Sequence, residues 1–138
     1  MLKAVLDTHA VIWYLYADQR LSNLARQTIE QIGNSGDTVA VSSITLAEIV
    51  YLGEKGRISA QTIERLLMEL DRENSILIEI PLARNIVVTM GGIERSDVPD
   101  LPDRIIAATA LYLNVPLISR LFSFLCGRKK NRDNFPEI

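Results

Sequence analysis

Three carboxylic acids in this chain have the residue type and the sequence setting needed for metal-dependent chemistry. They are Asp7 in AVLDTHAVIW, Glu48 in SSITLAEIVYL and Asp103 in VPDLPDRIIAATA. Each follows a short apolar run or stands near the start of the helix predicted after it. If those ends meet, the carboxylates repel one another unless a cation neutralises them. Mg²⁺ or Mn²⁺ suits such oxygen ligands and supports phosphodiester hydrolysis.

The three acids differ in how strongly their setting favours a function. Asp7 ends an apolar strand, and an acid at that position favours a functional role over a purely structural one. Asp103 falls in the first turn of a predicted helix, where the helix dipole favours any negative charge. Glu48 could equally occupy an exposed helix position. The residues alone therefore leave both interpretations open for Glu48 and Asp103.

The elements that must position these acids alternate between strands and helices. The strands are predicted at Leu2–Leu6, Thr38–Val41, Ile76–Ile80 and Val115–Ser119. The helices are predicted from His9 to Tyr16, Ser22 to Ile32 (ended by Gly33 and Gly36), Ser43 to Gly53, Ser59 to Asn74, Leu82 to Met90 and Pro102 to Asn114. This alternation predicts an α/β fold with a mainly parallel sheet, whose sites form at the carboxyl ends of the strands.

Length and composition indicate one globular domain. The chain has 138 residues, of which 48% are hydrophobic and 23% charged, an ordinary soluble composition. The net charge of -2 does not favour a standalone nucleic-acid binder. From Arg120 onward, five Lys/Arg stand against two Asp/Glu, so the tail is either a solvated terminus or an RNA contact. We expect no signal peptide and no membrane span.

Several other kinds of site are excluded or disfavoured. The lone cysteine, Cys126, permits no internal disulfide, which fits a reducing cytoplasm. The only histidine, His9, rules out zinc sites that need several histidines. Neither an HExxH motif nor a glycine-rich phosphate loop occurs. Phosphotransferases of the haloacid-dehalogenase type would need a second Asp at position 9, which is His here. Receiver domains need an acidic pair at the end of the first strand, where Asp7 stands alone.

Three segments of the chain together resemble the PIN domain. They are VLDTHAVIW, SSITLAEIVYLGEKGRI and VPDLPDRIIAATALYLNVPLISR, in the family's order, and the resemblance runs from Met1 to Arg120. More narrowly, they resemble the VapC-like toxins of bacterial toxin–antitoxin pairs. The resemblance implies a three-layer α/β/α sandwich with a mainly parallel sheet of 4-5 strands. It also implies a metal-dependent endoribonuclease, a homodimer, and a VapB-like antitoxin whose tail fills the active-site groove.

The resemblance assigns the metal-binding acids. Asp7, Glu48 and Asp103 would be the catalytic ligands of Mg²⁺ or Mn²⁺. Thr8 would be a polar neighbour of the site, unless it simply starts a helix. Asp100 matches a position that is often acidic in the family and would have a secondary role at most.

Four further residues have predicted roles beside the acids. Arg104 would contact RNA phosphate or pair with a surface acid. Ser119 matches a small hydroxyl residue near the site. His9 is predicted to pack on its helix, and Trp13 to lie in the core or in a dimer interface.

The chain departs from the family after Arg120. The family continues with a fourth acid, but position 121 is Leu, and Asp133 lies too far along the tail to replace it. One hypothesis is a shifted reading frame: plausible codons for Arg-Leu-Phe-Ser, read from their second base, encode Asp-Tyr-Ser. A gene sequence without such codons would exclude it. If the frame is shifted, the family's last strand would be lost.

The sequence thus leaves three functions open. The first is an active metal-dependent ribonuclease toxin. The second is a catalytically weakened PIN domain that lacks the acid at position 121 and acts mainly by binding its antitoxin. The third is an unrelated α/β enzyme or regulator, whose metal site would omit Asp7, Glu48 or Asp103.

Overall fold

A five-stranded sheet forms the centre of the protein. The computed structural model describes residues 1–119 and strand residues 123–124. The strands are β1 (Leu2–Leu6), β2 (Thr38–Ser42), β3 (Leu77–Ile80), β4 (Leu117–Ile118) and β5 (Ser123–Phe124). The helices are α1 (Thr8–Leu15), α2 (Asn23–Asn34), α3 (Ser43–Glu54), α4 (Thr62–Asp71), α5 (Arg84–Met90) and α6 (Leu101–Leu113).

The strand order is β3-β2-β1-β4-β5, with β1 in the middle. Strand β1 pairs in parallel with both β2 and β4, and β2 pairs in parallel with β3. Strand β5 runs antiparallel to β4, with Leu117 opposite Phe124 and Ile118 opposite Ser123. The predicted α/β fold with a mainly parallel sheet is confirmed. The short strand β5 lies within the tail after Arg120, where a shifted reading frame would remove the family's last strand.

Helices cover both faces of the sheet, because successive strand residues point to opposite sides. Ala4 and Leu6 of β1 join a core cluster with residues of α1, α2 and α4. Val5, between them, joins a second cluster with residues of α5 and α6. One layer of helices packs on each face of the sheet, which gives the predicted three-layer sandwich. Within the described residues, no helix combines the length and the apolar character needed to cross a membrane.

The predicted helix boundaries shift where capping decides them. Ser42, not Ser43, caps α3, because the Ser42 hydroxyl accepts from the Ile44 N–H at 3.2 Å. Ser59 does not start α4: its hydroxyl accepts from the Gln61 N–H in a preceding turn, and the helix begins at Thr62. The observed bounds of α4, α5, β3 and β4 also differ from the predicted ones by a few residues.

Gly33 does not end α2, which continues to Asn34. A Cβ atom at Gly33 would lie 2.7 Å from the Cδ1 atom of Ile76. The glycine therefore allows close packing of the helix against the residue before β3. The sequence predicted that Gly33 breaks the helix, but the glycine makes room for the side chain of Ile76.

Adjacent leucines on α4 test how much the buried layer contributes to stability. Leu66 is 0% exposed and Leu67 is 41% exposed. We expect Leu66→Ala to lower the free energy of unfolding by about 2–5 kcal/mol, because it leaves a cavity in the core. The matched change Leu67→Ala should cost less than about 1 kcal/mol. Chemical denaturation of both variants measures the difference, and equal losses would contradict the packing described for α4.

Candidate active site

Asp7 lies at the carboxyl edge of the sheet, directly after the central strand β1. Its Oδ1 atom accepts from the Ala10 N–H at 2.9 Å, so the side chain caps α1. The Asp7 backbone N–H donates to the Ile118 carbonyl at 3.0 Å, continuing the pairing of β1 with β4. Since Leu6 pairs with Ile118, the next residues along the two strands, Asp7 and Ser119, leave the sheet side by side. Both predicted residues therefore lie at this edge.

Glu48 is connected to the Asp7 segment through Thr8. The buried Thr8 hydroxyl donates a hydrogen bond to the Oε1 atom of Glu48, which lies in the second turn of α3. The Oγ1 atoms of Thr8 and Thr45 lie 3.1 Å apart, and both threonines are buried. Thr8 is therefore a polar neighbour of Glu48 as well as the first residue of α1. Thr45 was not predicted, although its spacing of three residues from Glu48 places both on one helix face.

Asp103 lies in the exposed first turn of α6. Asp100 caps this helix by accepting from the Asp103 N–H at 3.2 Å. The helix thus begins at Leu101 with Pro102 in its first turn, where proline costs no hydrogen bond. Because α6 leads into the parallel strand β4, its start lies at the carboxyl edge of the sheet. This topology places Asp103 at the same edge as Asp7.

The three predicted acids share this edge, and their elements are in contact. Helix α6 packs against both α3 and β1. Across residues 1–119, however, no three or more His, Cys, Asp or Glu side chains are arranged so that they could hold one metal ion. The positions raised for a fourth acid, 121 and 133, lie outside the described residues, as does Cys126. The structure thus gives a shared edge for the acids, and a common metal site remains a prediction.

Arg104 holds the loop between α5 and α6. One terminal nitrogen of its guanidinium donates to the carbonyl oxygens of Met90 and Ile93, each at 3.2 Å. Its Nε atom is buried without a hydrogen-bond partner in the part of the chain that the structure describes. The predicted pairing with a surface acid is not found there. The side chain anchors the segment that leads to Asp100.

His9 and Trp13 lie along one face of α1. Their ring centroids are 5.9 Å apart with the planes tilted by 60°. Trp13 also packs against the core cluster that contains Leu6, while the Arg20 guanidinium lies 5.3 Å from its ring. These contacts agree with His9 as a packed helix residue and with Trp13 at the core boundary.

Comparison with known families agrees with this arrangement. A model of the PIN domain matches residues 4–120. The chain belongs to the PIN-domain family. It is 31% identical over 111 residues to ribonuclease VapC22 of Mycobacterium tuberculosis, an alignment that spans 80% of this chain and 81% of the relative.

Solved structures of VapBC and toxin–antitoxin complexes have a similar fold. VapBC2 from Rickettsia felis, bound to a promoter DNA fragment, gives a TM-score of 0.61 at 22% identity over 85% of this chain and 86% of that one. A toxin–antitoxin complex from Klebsiella pneumoniae gives 0.57 at 25% identity over 83% of each chain. DNA-bound VapBC from Salmonella typhimurium gives 0.58 at 25% identity over 86% of each chain.

Replacing Arg104 tests whether it anchors the loop. Arg104→Met retains much of the apolar stem but removes the donors to Met90 and Ile93. Because hydrogen bonds from charged donors are the stronger class, we expect unfolding to become easier by about 1.5–3 kcal/mol. The control Arg95→Met removes an exposed arginine from the same loop and should change stability by less than about 0.5 kcal/mol. Equal stability of the two variants in urea would rule out the anchoring role.

Proposed function

We propose that this protein is a metal-dependent endoribonuclease that serves as the toxin of a toxin–antitoxin pair. The observation that supports this most is the placement of Asp7, Glu48 and Asp103 at one edge of a PIN-domain sheet. The 31% identity to ribonuclease VapC22 supports RNA as the substrate. The proposed reaction is hydrolysis of an RNA phosphodiester by an activated water.

The donors at this edge suit Mg²⁺ or Mn²⁺. Carboxylate oxygens are the ligands these hard cations prefer, and Mg²⁺ keeps several waters, so few protein ligands suffice. Asp7, Glu48 and Asp103 would hold the ion. When bound, such an ion lowers the pKa of a water and neutralises charge on the phosphodiester.

The protein's own part in the reaction is to hold these acids in position. Thr8 donates to the Glu48 carboxylate, and Asp100 fixes the helix start that carries Asp103. Ser119, beside Asp7 at the strand ends, would contact the substrate. Arg104 would act indirectly by holding the loop before α6.

We further propose that a VapB-like antitoxin inhibits the protein and that the active form is a cytoplasmic homodimer. The similar Klebsiella structure is a toxin–antitoxin complex and the similar Salmonella structure is a VapBC complex, which supports such a partner. The single cysteine agrees with a reducing compartment.

One feature of the sequence favours a second candidate function. Position 121 is Leu, where the resemblance to VapC-like toxins predicts a fourth acid. If three acids bind the metal too weakly, the protein would act mainly by binding its antitoxin. It would then reduce the supply of antitoxin available to an active toxin.

RNA cleavage tests the proposed function and separates it from the alternative. The purified protein should cut a mixed RNA pool in Mg²⁺ or Mn²⁺ and stop cutting when the metal is chelated. Asp7→Asn should lower the rate by about 100-fold or more, since even residues that only support metal ligands cost 10–100-fold. Asp71→Asn, an exposed acid at the end of α4, should leave the rate unchanged.

A Leu121→Asp variant decides between the two candidates. Cleavage by the parent protein supports the ribonuclease and shows that the acid at position 121 is dispensable. Cleavage by Leu121→Asp alone supports the weakened form. If neither protein cuts RNA under any metal condition, the ribonuclease proposal is wrong.

A further inference from the structure

Two buried threonines lie close to Glu48 and are linked to it through the hydroxyl of Thr8. Thr8 donates to the Glu48 carboxylate, and Thr45 lies 3.1 Å from the Thr8 oxygen. Thr45 is 0% exposed and Thr8 is 3% exposed. Bulk water therefore cannot replace the hydrogen-bond partner of either hydroxyl. The proposed function assigns roles to Thr8 and Glu48, but it gives none to the buried hydroxyl of Thr45.

Counting protons fixes the direction of both hydrogen bonds. A threonine hydroxyl has one hydrogen to donate and two lone pairs to accept with. Thr8 donates its single hydrogen to the Glu48 carboxylate, so that hydrogen is not available to Thr45. Thr8 can then only accept from Thr45. The three side chains form a directed chain in which Thr45 donates to Thr8 and Thr8 donates to Glu48.

This chain begins and ends on the same helix. Thr45 and Glu48 are three residues apart in α3, whereas Thr8 is the first residue of α1. Thr8 is therefore held between two residues of α3. Because Thr8 directly follows Asp7, holding Thr8 also fixes the backbone from which Asp7 extends. Consecutive hydrogen bonds in a buried chain polarise and strengthen one another.

We propose that Thr45 is a positioning residue that acts through the Thr8 hydroxyl to fix the Glu48 carboxylate relative to Asp7. The inference rests on the proposed function, because it assigns Glu48 to the metal site. Thr45 itself contacts neither metal nor substrate. Its hydroxyl orients that of Thr8, and its methyl group is buried.

Mn²⁺ alone is the probe, and its affinity is measured by calorimetry or by the spin resonance of the free ion. Thr8→Val should weaken Mn²⁺ binding by about 10–100-fold, the usual effect of losing a residue that orients a ligand. Thr45→Val should weaken it by about tenfold, because the Thr8 donor remains but loses its orienting partner. The double variant should bind no more weakly than Thr8→Val, since residues that act through one another are not additive.

Matched variants separate the hydroxyl from the packing. Thr45→Ser and Thr45→Ala both lack the methyl group and differ only in the oxygen atom, so serine should restore the affinity that alanine loses. This pair carries the comparison even if Thr45→Val fails to fold. Thr109→Val is the control for a buried threonine, because the Thr109 hydroxyl donates to the Ile105 carbonyl within α6. It should leave Mn²⁺ affinity unchanged.

Each result supports or overturns the inference. Equal affinities for Thr45→Ser and Thr45→Ala would show a purely structural role for Thr45. Additive losses in the double variant would show that Thr45 does not act through Thr8. If Mn²⁺ does not bind the parent, or Glu48→Gln leaves binding unchanged, the proposed metal site fails and the inference fails with it.

Discussion

The hydrogen bond from Thr8 to Glu48 connects two segments that are far apart in the sequence. Thr8 follows the central strand β1, and Glu48 lies on the helix that follows the neighbouring strand β2. Parallel pairing brings the carboxyl ends of the two strands together, but pairing alone does not orient a side chain. A buried donor that is committed to the carboxylate does so, and leaving that donor unpaired would be costly. The relative position of Asp7 and Glu48 depends on this contact.

The third acid is positioned by different means. Asp103 lies on a helix whose start is set by the Asp100 cap, and Arg104 ties the preceding loop to the carbonyls of Met90 and Ile93. The charged residues around Asp103 therefore fix local backbone geometry. Their presence in one short segment reflects the need to begin α6 at a defined point on the sheet edge.

Much of the fold follows from simple patterns in the sequence. Alternating apolar runs and helical segments predict the parallel sheet, and β1 has the predicted bounds. The position of Asp7 also follows, because a residue after a parallel strand must lie at the carboxyl edge. Capping and packing were harder to predict. The choice of Ser42 over Ser43 as a cap depends on backbone direction, and the continuation of α2 through Gly33 depends on its contact with Ile76.

Side-chain partners were the least predictable part of the site. Arg104 follows an acid in a charged segment, which suggested phosphate or a surface acid, but its partners are backbone carbonyls brought in by the loop. Thr45 gave only a weak signal, its spacing from Glu48. Its contact with Thr8 depends on how α1 meets α3, and no local pattern contains that information.

The most direct test of a shared metal site is the anomalous diffraction of Mn²⁺ in crystals of the protein. The account predicts one manganese peak at the carboxyl edge of the sheet, with carboxylate oxygens of Asp7, Glu48 and Asp103 among its ligands. A peak bound elsewhere, or one whose ligands include none of these acids, would contradict it.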